Sequence, residues 1–562
     1  MAVPTGRRAE EANVKIEPQK IDAIFSEWDR PDSPGCALGV VHEGKLAYAR
    51  GYGSANLEYD VPIAPSTLFH VASVSKQFTA MAAALLAAEG KLSLDDDVRE
   101  FVPELWDFGR RITIRHLVLH TSGLRDQWLL LVLAGWRFED VITTDDAMWI
   151  ITRQRTLNFD PGTEHLYCNA GYTLLGEVVR RVSGKSLAAF CRERIFEPLG
   201  MDRSFFLEDH STIVKGRAYS YAPLDGGGFE HSVLSFSTTG PTSVLTNVED
   251  LALWEKNFTE GKVGGPEVLE FMVTPGRLAD GEELSYAFGL QTGEYRGLGV
   301  VEHGGFDAGF KSQFLRIPRC GFAVSVLGNL RTMNPSELAR RVADVCLGDA
   351  FPEPPPAGAE APAVSVGAQE LKAKAGLYLH EKTGRIIRLE VRNGRLFSPT
   401  GKGIELVARE RARFGLKDSP RVEYLFEPEG TEPARRVTEK AGSAKPVILT
   451  RVDPYIPNQE EREAFAGSYH SSELEAGLEV SHGKEGLVIR HRKLGESPLE
   501  PTCRDAFSWD GSHLFGVPYK LDLRFERGGQ GAITGFGIFT GRVRNLWYQK
   551  VEGGRKKVMG NG

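Results

Sequence analysis

A serine stands three residues ahead of a lysine in Ser73-Val74-Ser75-Lys76, between Phe69-His70-Val71-Ala72 and an apolar run through Phe78, Met81, Ala82, Leu85 and Leu86. The run has helical spacing. A helix starting at Ser73 carries Lys76 one turn on, over the same face. Its N-terminus sets Ser73 in a field that favours an alkoxide and a developing oxyanion. A serine hydroxyl needs a base, and a lysine at its ordinary pKa near 10.4 is neutral only about once in 2,500 at pH 7. Making half the lysines competent costs about 4 kcal/mol, which burial can supply. Alone, the four residues read equally as a helix cap followed by a surface lysine.

Two further constellations bear on the same chemistry. Pro161-Gly162 precedes Tyr167-Cys168-Asn169 and a helical pattern from Gly171. Tyr-x-Asn puts a phenol and an amide on one side of an extended or turn segment. The phenol can relay a proton between nucleophile and leaving group, and the amide can hold a substrate carbonyl. A core tyrosine and an Asn helix cap explain the same residues. Next, His303-Gly304-Gly305 closes a strand expected over 297–302. Two glycines let backbone approach a ligand, and the amide of Phe306 can join that of Ser73 as an oxyanion hole. A strand-ending turn with a satisfied histidine is the plainer account.

Nothing else in the chain competes with acyl transfer. No His-Glu-x-x-His pattern occurs, so no metal is expected, and Gly226-Gly227-Gly228 lacks the Gly-Lys-Ser/Thr of a phosphate loop. Asp95-Asp96-Asp97 reads as a solvated turn. No cofactor is implied. The net charge of −7 over 562 residues contains no basic tract, which argues against nucleic acid as a partner. Trp128 to Trp136 is the most apolar stretch and is far too short to span a bilayer. Six cysteines without paired spacing and no apolar leader point to the cytoplasm, although a trimmed secreted form looks the same. The expected partner is a small peptide, amide or ester substrate, with a homo-oligomer open.

The elements that must position these residues fall into three segments. Residues 1–350 mix strands at both ends with helices between, the pattern of an α+β domain with one antiparallel sheet flanked by helices. Five prolines between Phe351 and Pro362 mark a linker over 351–365. Only short alternating runs and Gly turns follow. Ala375-Gly376-Leu377-Tyr378 is echoed by Ala466-Gly467-Ser468-Tyr469. Two small antiparallel β-barrels of similar fold are expected, over 366–453 and 458–556.

Together and in this order, the motifs resemble the serine β-lactamase and penicillin-binding-protein superfamily, in its class C-like branch of β-lactamases, esterases and D-aminopeptidases. Residues 112–124, Ile-Thr-Ile-Arg-His-Leu-Val-Leu-His-Thr-Ser-Gly-Leu, resemble a further hallmark of that branch, taken as a cleft-lining, mostly structural segment. The resemblance implies Ser73 as nucleophile, Lys76 as base, Tyr167 as general acid/base, His303 as a further catalytic group, and Asn169 as a substrate-positioning residue beside Gly304, Gly305 and Phe306. Closer still, Ser73 to Thr79, Ser122 to Trp128, and the layout of a catalytic domain followed by two barrels are similar to bacterial D-aminopeptidases. In those enzymes a loop of the last barrel reaches the cleft. The candidate here is 503–516, an irregular stretch carrying Asp505, Trp509, Asp510 and His513.

One departure matters for substrate. The superfamily usually places Lys-Thr-Gly where this chain has His303-Gly304-Gly305, and an imidazole is largely neutral at pH 7. Penicillin-type substrates therefore rank below N-terminal peptide amides and simple esters. The expected activity is a D-aminopeptidase-type exopeptidase or amidase. A carboxylesterase or weak β-lactamase is the alternative, and a non-catalytic sensor or scaffold on the same fold is the alternative of another class.

Overall fold

The two ends of the first segment meet in one sheet. A computed structural model describes residues 14–352, 364–398, 403–417, 419–441, 446–493, 495–512 and 519–551. The chain sorts into two compact units that divide near residue 354, and Leu129–Arg137 groups with the second.

In the first unit six antiparallel strands run in the order Gln291–Tyr295, Leu298–Asp307, Phe310–Ile317, Phe322–Gly328, Cys36–His42, Lys45–Tyr52. The N-terminal hairpin joins the C-terminal strands from Cys36 opposite Gly328 to His42 opposite Phe322. Period-2 alternation sends Leu38, Val40, Leu315, Ile317, Val324 and Val326 to one face, against the helices Pro18–Phe25 and Pro335–Leu347. On the other face Val41 and Ala323 meet Ala252 of the helix Val248–Glu260. That helix lies so close that a Cβ on Gly39 would come within 2.8 Å of Val248 Cβ. The helix Lys76–Ala88 is buried from Lys76 to Leu86 and packs against Asn169–Ser183.

Two local expectations are corrected. The strand expected to end at Glu302 continues through His303-Gly304-Gly305 to Asp307. The glycines are therefore ladder residues rather than a turn. Lys76–Ala88 does not start at Ser73; a 3-10 turn, Ala72–Ser75, precedes it.

In the second unit, eight strands from Gly376–Leu379 to Val447–Val452 close one antiparallel barrel, and eight from Gly467–Ser471 to Leu546–Val551 close another. This is the α+β domain followed by two barrels that the patterning predicts. Each barrel opens with a helix of about two turns, Ala368–Lys374 or Gln459–Phe465. The echoed tyrosines play one role in both: Tyr378 donates to the Lys374 carbonyl at 2.8 Å and Tyr469 to the Phe465 carbonyl at 2.6 Å. The apolar run near Trp128 finds its place here. The Leu133 carbonyl accepts from His491 Nε2 and from the Tyr548 hydroxyl, both at 3.2 Å.

Within the stretch 503–516, expected as an irregular loop, the described part contains a strand. Ala506–Asp510 is a strand, Trp509 is buried within it, and Asp505 is bonded to Arg527. Asp510 accepts from the amide of Ser512, and residues 513–516 lie outside the described residues.

Candidate active site

The turn that carries Ser73 is bolted from several sides. Ser312 Oγ donates to the Val71 carbonyl at 2.7 Å, the Val71 amide donates to the Val244 carbonyl, and the Val244 amide donates to Ser75 Oγ at 2.9 Å. The strand Leu298–Asp307 passes directly beneath. A Cβ on Gly305 would lie 2.3 Å from both the Val71 carbonyl oxygen and Ser312 Oγ. Only glycine fits there, and its bareness admits the turn that carries Val71 and Ala72. Ala72, just before Ser73, has φ +47. His120 (φ +58) and Ser243 (φ +80) share this left-handed conformation in two other loops of the site. Such conformations cost about 1–3 kcal/mol each and persist where the surroundings over-determine them.

Lys76 is fully buried. Its Nζ lies 3.0 Å from Ser73 Oγ, 2.8 Å from Asn169 Oδ1 and 2.7 Å from the Pro241 carbonyl. Two of these neighbours are pure acceptors and take two of its hydrogens in either charge state. The third direction faces Ser73. There an ammonium donates, and a neutral amine offers its lone pair to the serine proton.

Asn169 begins the helix Asn169–Ser183. Its backbone N and its Nδ2 both donate to Asp126 Oδ2, at 2.9 and 2.8 Å. A carboxylate only accepts, so the amide oxygen must be the atom turned to Lys76. Asn169, expected to hold substrate, bridges Asp126 and Lys76. Tyr167 is half-buried, with Lys76 Nζ 4.9 Å from its ring centre. His120 places it: its carbonyl accepts from Leu166 N, its Nδ1 accepts from Cys168 N at 3.1 Å, and its ring lies 4.2 Å from that of Tyr167.

His303 enters the site by another route than expected. Its Nδ1 is 2.7 Å from the Gly304 carbonyl, which can only accept, so Nδ1 carries the proton. Nε2 then accepts from the Tyr286 hydroxyl at 3.0 Å. Burial, with the charge of Lys76 adding, pushes His303 down to about 3. It is a neutral imidazole with both nitrogens engaged, and its ring centre is 6.1 Å from that of Tyr167. Beyond Glu302, where pairing to Gln291–Tyr295 stops, residues 303–307 have no strand on that side among the described residues. Phe306 is exposed there, with the Lys311 ammonium over its ring. Such an edge can pair with an extended substrate.

Asp126, Tyr286, Thr242 and Asp307 escaped the sequence reading. Asp126 stands in the quoted Ser122–Trp128 motif and was legible as a residue, but its partner lies 43 positions away. Among the described residues no group of three His, Cys, Asp or Glu is placed to hold a metal, and no helix is long and apolar enough to cross a membrane.

Known proteins resemble the chain along most of its length. A D-aminopeptidase of Gluconobacter oxydans (strain 621H) is 29% identical over 539 residues, covering 92% of this chain and 96% of the relative. A D-aminopeptidase of Brucella canis is 27% identical over 530 residues, with the same coverages. The octameric penicillin-binding protein homologue from Pyrococcus abyssi matches in structure with a TM-score of 0.55 at 25% identity, over 77% of this chain and 100% of its own. The Beta-lactamase family model matches residues 21–348, more than half of the 562, and by that match the chain belongs to the Beta-lactamase family.

Proposed function

We propose that this chain is a serine hydrolase of D-aminopeptidase type, acting on small peptides and amino-acid amides through an acyl-enzyme on Ser73. The observation that carries the reading is the Lys76 amine, 3.0 Å from Ser73 Oγ with its other directions fixed by Asn169 and Pro241. Ser73 Oγ attacks the scissile carbonyl carbon and its proton passes to Lys76 Nζ. The carbonyl becomes an oxyanion facing the amides of Ser73 and Phe306. Tyr167 passes a proton to the leaving amine, the C–N bond breaks, and an ester on Ser73 remains. Lys76 returns a proton to Tyr167; water then attacks that ester, its proton passes to Lys76 and on to Ser73 Oγ as the ester C–O bond breaks, and the acid leaves.

The uncharged His303 favours substrates without a carboxylate beside the scissile bond. Relatives named D-aminopeptidase over nearly the full length support the peptide class and the D preference. Six free cysteines support a reducing compartment, and the octameric Pyrococcus homologue supports assembly into a homo-oligomer. The test is a panel of D- and L-amino-acid amides, p-nitrophenyl esters and a chromogenic cephalosporin. The highest specificity constants should fall on D-amino-acid amides with a free amine. A preference for simple esters, with amides untouched, would make the protein an esterase instead.

A further inference from the structure

Behind the turn that carries Ser73 lies a carboxylate that the acyl-transfer steps do not use. Asp307 ends the strand Leu298–Asp307, two residues past Gly305 and therefore on the same face. Thr242 Oγ1 donates to Asp307 Oδ2, and Thr242 directly follows Pro241, whose carbonyl accepts from Lys76. With its one proton committed, the Thr242 oxygen accepts Nε2–H of His70 at 3.4 Å. His70 Nδ1 in turn accepts the amide of Ala72, the residue before the nucleophile, at 3.2 Å. One short chain of bonds thus joins the strand edge, the Pro241 loop and the Ser73 turn.

The charges around this chain are few. Burial, aided by Arg217, pushes His70 down to about 3, so it stays neutral. Burial raises Asp307 to about 6, against the Thr242 bond and the charge of Lys76, which both pull it down. Lys76 is also faced by neutral His303, by the rings of Tyr167 and Tyr172, and by Asp126 through Asn169. Of the His70–Thr242–Asp307 group, only Asp307 changes charge near neutrality.

We propose that Asp307 is a positioning residue for Lys76: it holds Thr242, and with it the Pro241 carbonyl, against Lys76 Nζ, and its negative charge favours the ammonium that Lys76 becomes on taking the Ser73 proton. The proposal rests on the roles of Ser73 and Lys76 given above. Ionised Asp307 is the working form, so acylation falls as pH drops through its titration. Stability runs the other way. The folded chain holds this proton more tightly than an unfolded one, so stability declines as pH rises from about 4 to about 6. Asn keeps an oxygen for Thr242 and removes only the charge.

The experiment measures the rate at which a fluorophosphonate phosphonylates Ser73, fluoride leaving as the Oγ–P bond forms, in the full-length protein from about pH 5 to about pH 9. The wild type should lose rate on the acid side with an apparent pKa near 6. Asp307→Asn should be about tenfold slower at neutral pH, lose the limb near pH 6 and keep only the one on which Lys76 itself takes a proton, and melt no lower than the wild type at pH 7. Thr242→Val should slow labelling while keeping both limbs, and carries the test alone if the Asn variant does not fold. A labelled wild type with an unchanged rate and pH profile in Asp307→Asn contradicts the Asp307 role alone, as does a slower variant with both limbs intact. A wild type that takes no label overturns the Ser73 reading and this proposal with it.

Discussion

Among the described residues two lysines are almost wholly buried, Lys76 beside Ser73 and Lys374 at the entry to the first barrel. Both lie over aromatic rings, Lys76 over Tyr167 and Tyr172, Lys374 over Phe414 and Phe426. Their polar surroundings differ. Lys76 has two carbonyl-type acceptors and a serine hydroxyl within 3.0 Å, whereas Lys374 Nζ has no hydrogen-bond partner among the described residues. Burial and ring contact therefore do not mark a chemical lysine. What sets Lys76 apart is two acceptors for its hydrogens and a serine hydroxyl in the third direction.

The second barrel supplies a control for Lys374. Lys374-Ala375-Gly376-Leu377-Tyr378 aligns with Phe465-Ala466-Gly467-Ser468-Tyr469, so Phe465 stands where the first barrel has Lys374. Phe414 and Phe426 lie on the fifth and sixth strands of the first barrel, and Phe507 and Phe525 on the fifth and sixth of the second. Phe465 packs edge-on against Phe507 and Phe525, at 5.1 and 4.9 Å between ring centres. The same site is thus filled by a ring in one barrel and by a cation in the other. A buried polar group without a partner costs roughly 1–3 kcal/mol.

Substitutions at these three positions should separate chemistry from packing. Lys76→Ala should give the largest effect, an acylation rate down by about three orders of magnitude or more, since the proposed base is gone. It should leave the barrels' denaturant transition unmoved. Phe465→Lys comes next: urea unfolding should show about 3 kcal/mol lost from the second barrel, because a packed ring is exchanged for an unpaired cation. Lys374→Phe should do least, a gain of about 1 kcal/mol in the first barrel. A pH series refines this last case. Burial holds the Lys374 amine below its ordinary value, with Glu370 and Glu429 pulling the other way. The unfolded chain then binds the proton more tightly, so stability rises as pH climbs toward the ordinary lysine range. Lys374→Phe should abolish that rise. Equal stability losses in Lys374→Phe and Phe465→Lys would end the equivalence of the two sites.

What the sequence carried was local. Ser73 and Lys76 are three residues apart, so one turn of chain suffices to place the pair. The barrels announce themselves by period-2 alternation, as in Leu487–His491 and Lys520–Arg527. Glycines mark a bare backbone without naming what approaches it. Gly304-Gly305 therefore read as room for a ligand; the close neighbours are Gln313 at Gly304 and, at Gly305, Val71, more than 230 positions earlier. Asp126, Tyr286, Thr242 and Asp307 are bonded to partners on other elements, a relation that spacing along one chain does not encode. His303 was legible as a neutral replacement for a lysine, but its bond to Tyr286 was not. In the stretch 503–516, acidic and aromatic residues among Gly resembled a loop, whereas Trp509 is a buried strand residue.

The central claim is that Lys76 activates Ser73, and intact-protein mass spectrometry after fluorophosphonate treatment tests it most directly. The wild type should gain one adduct, mapped by peptide analysis to Ser73. Ser73→Ala should gain none, and Lys76→Ala should gain it on the order of a thousandfold more slowly. An adduct formed at the wild-type rate in Lys76→Ala, or mapped to another residue, would contradict the account.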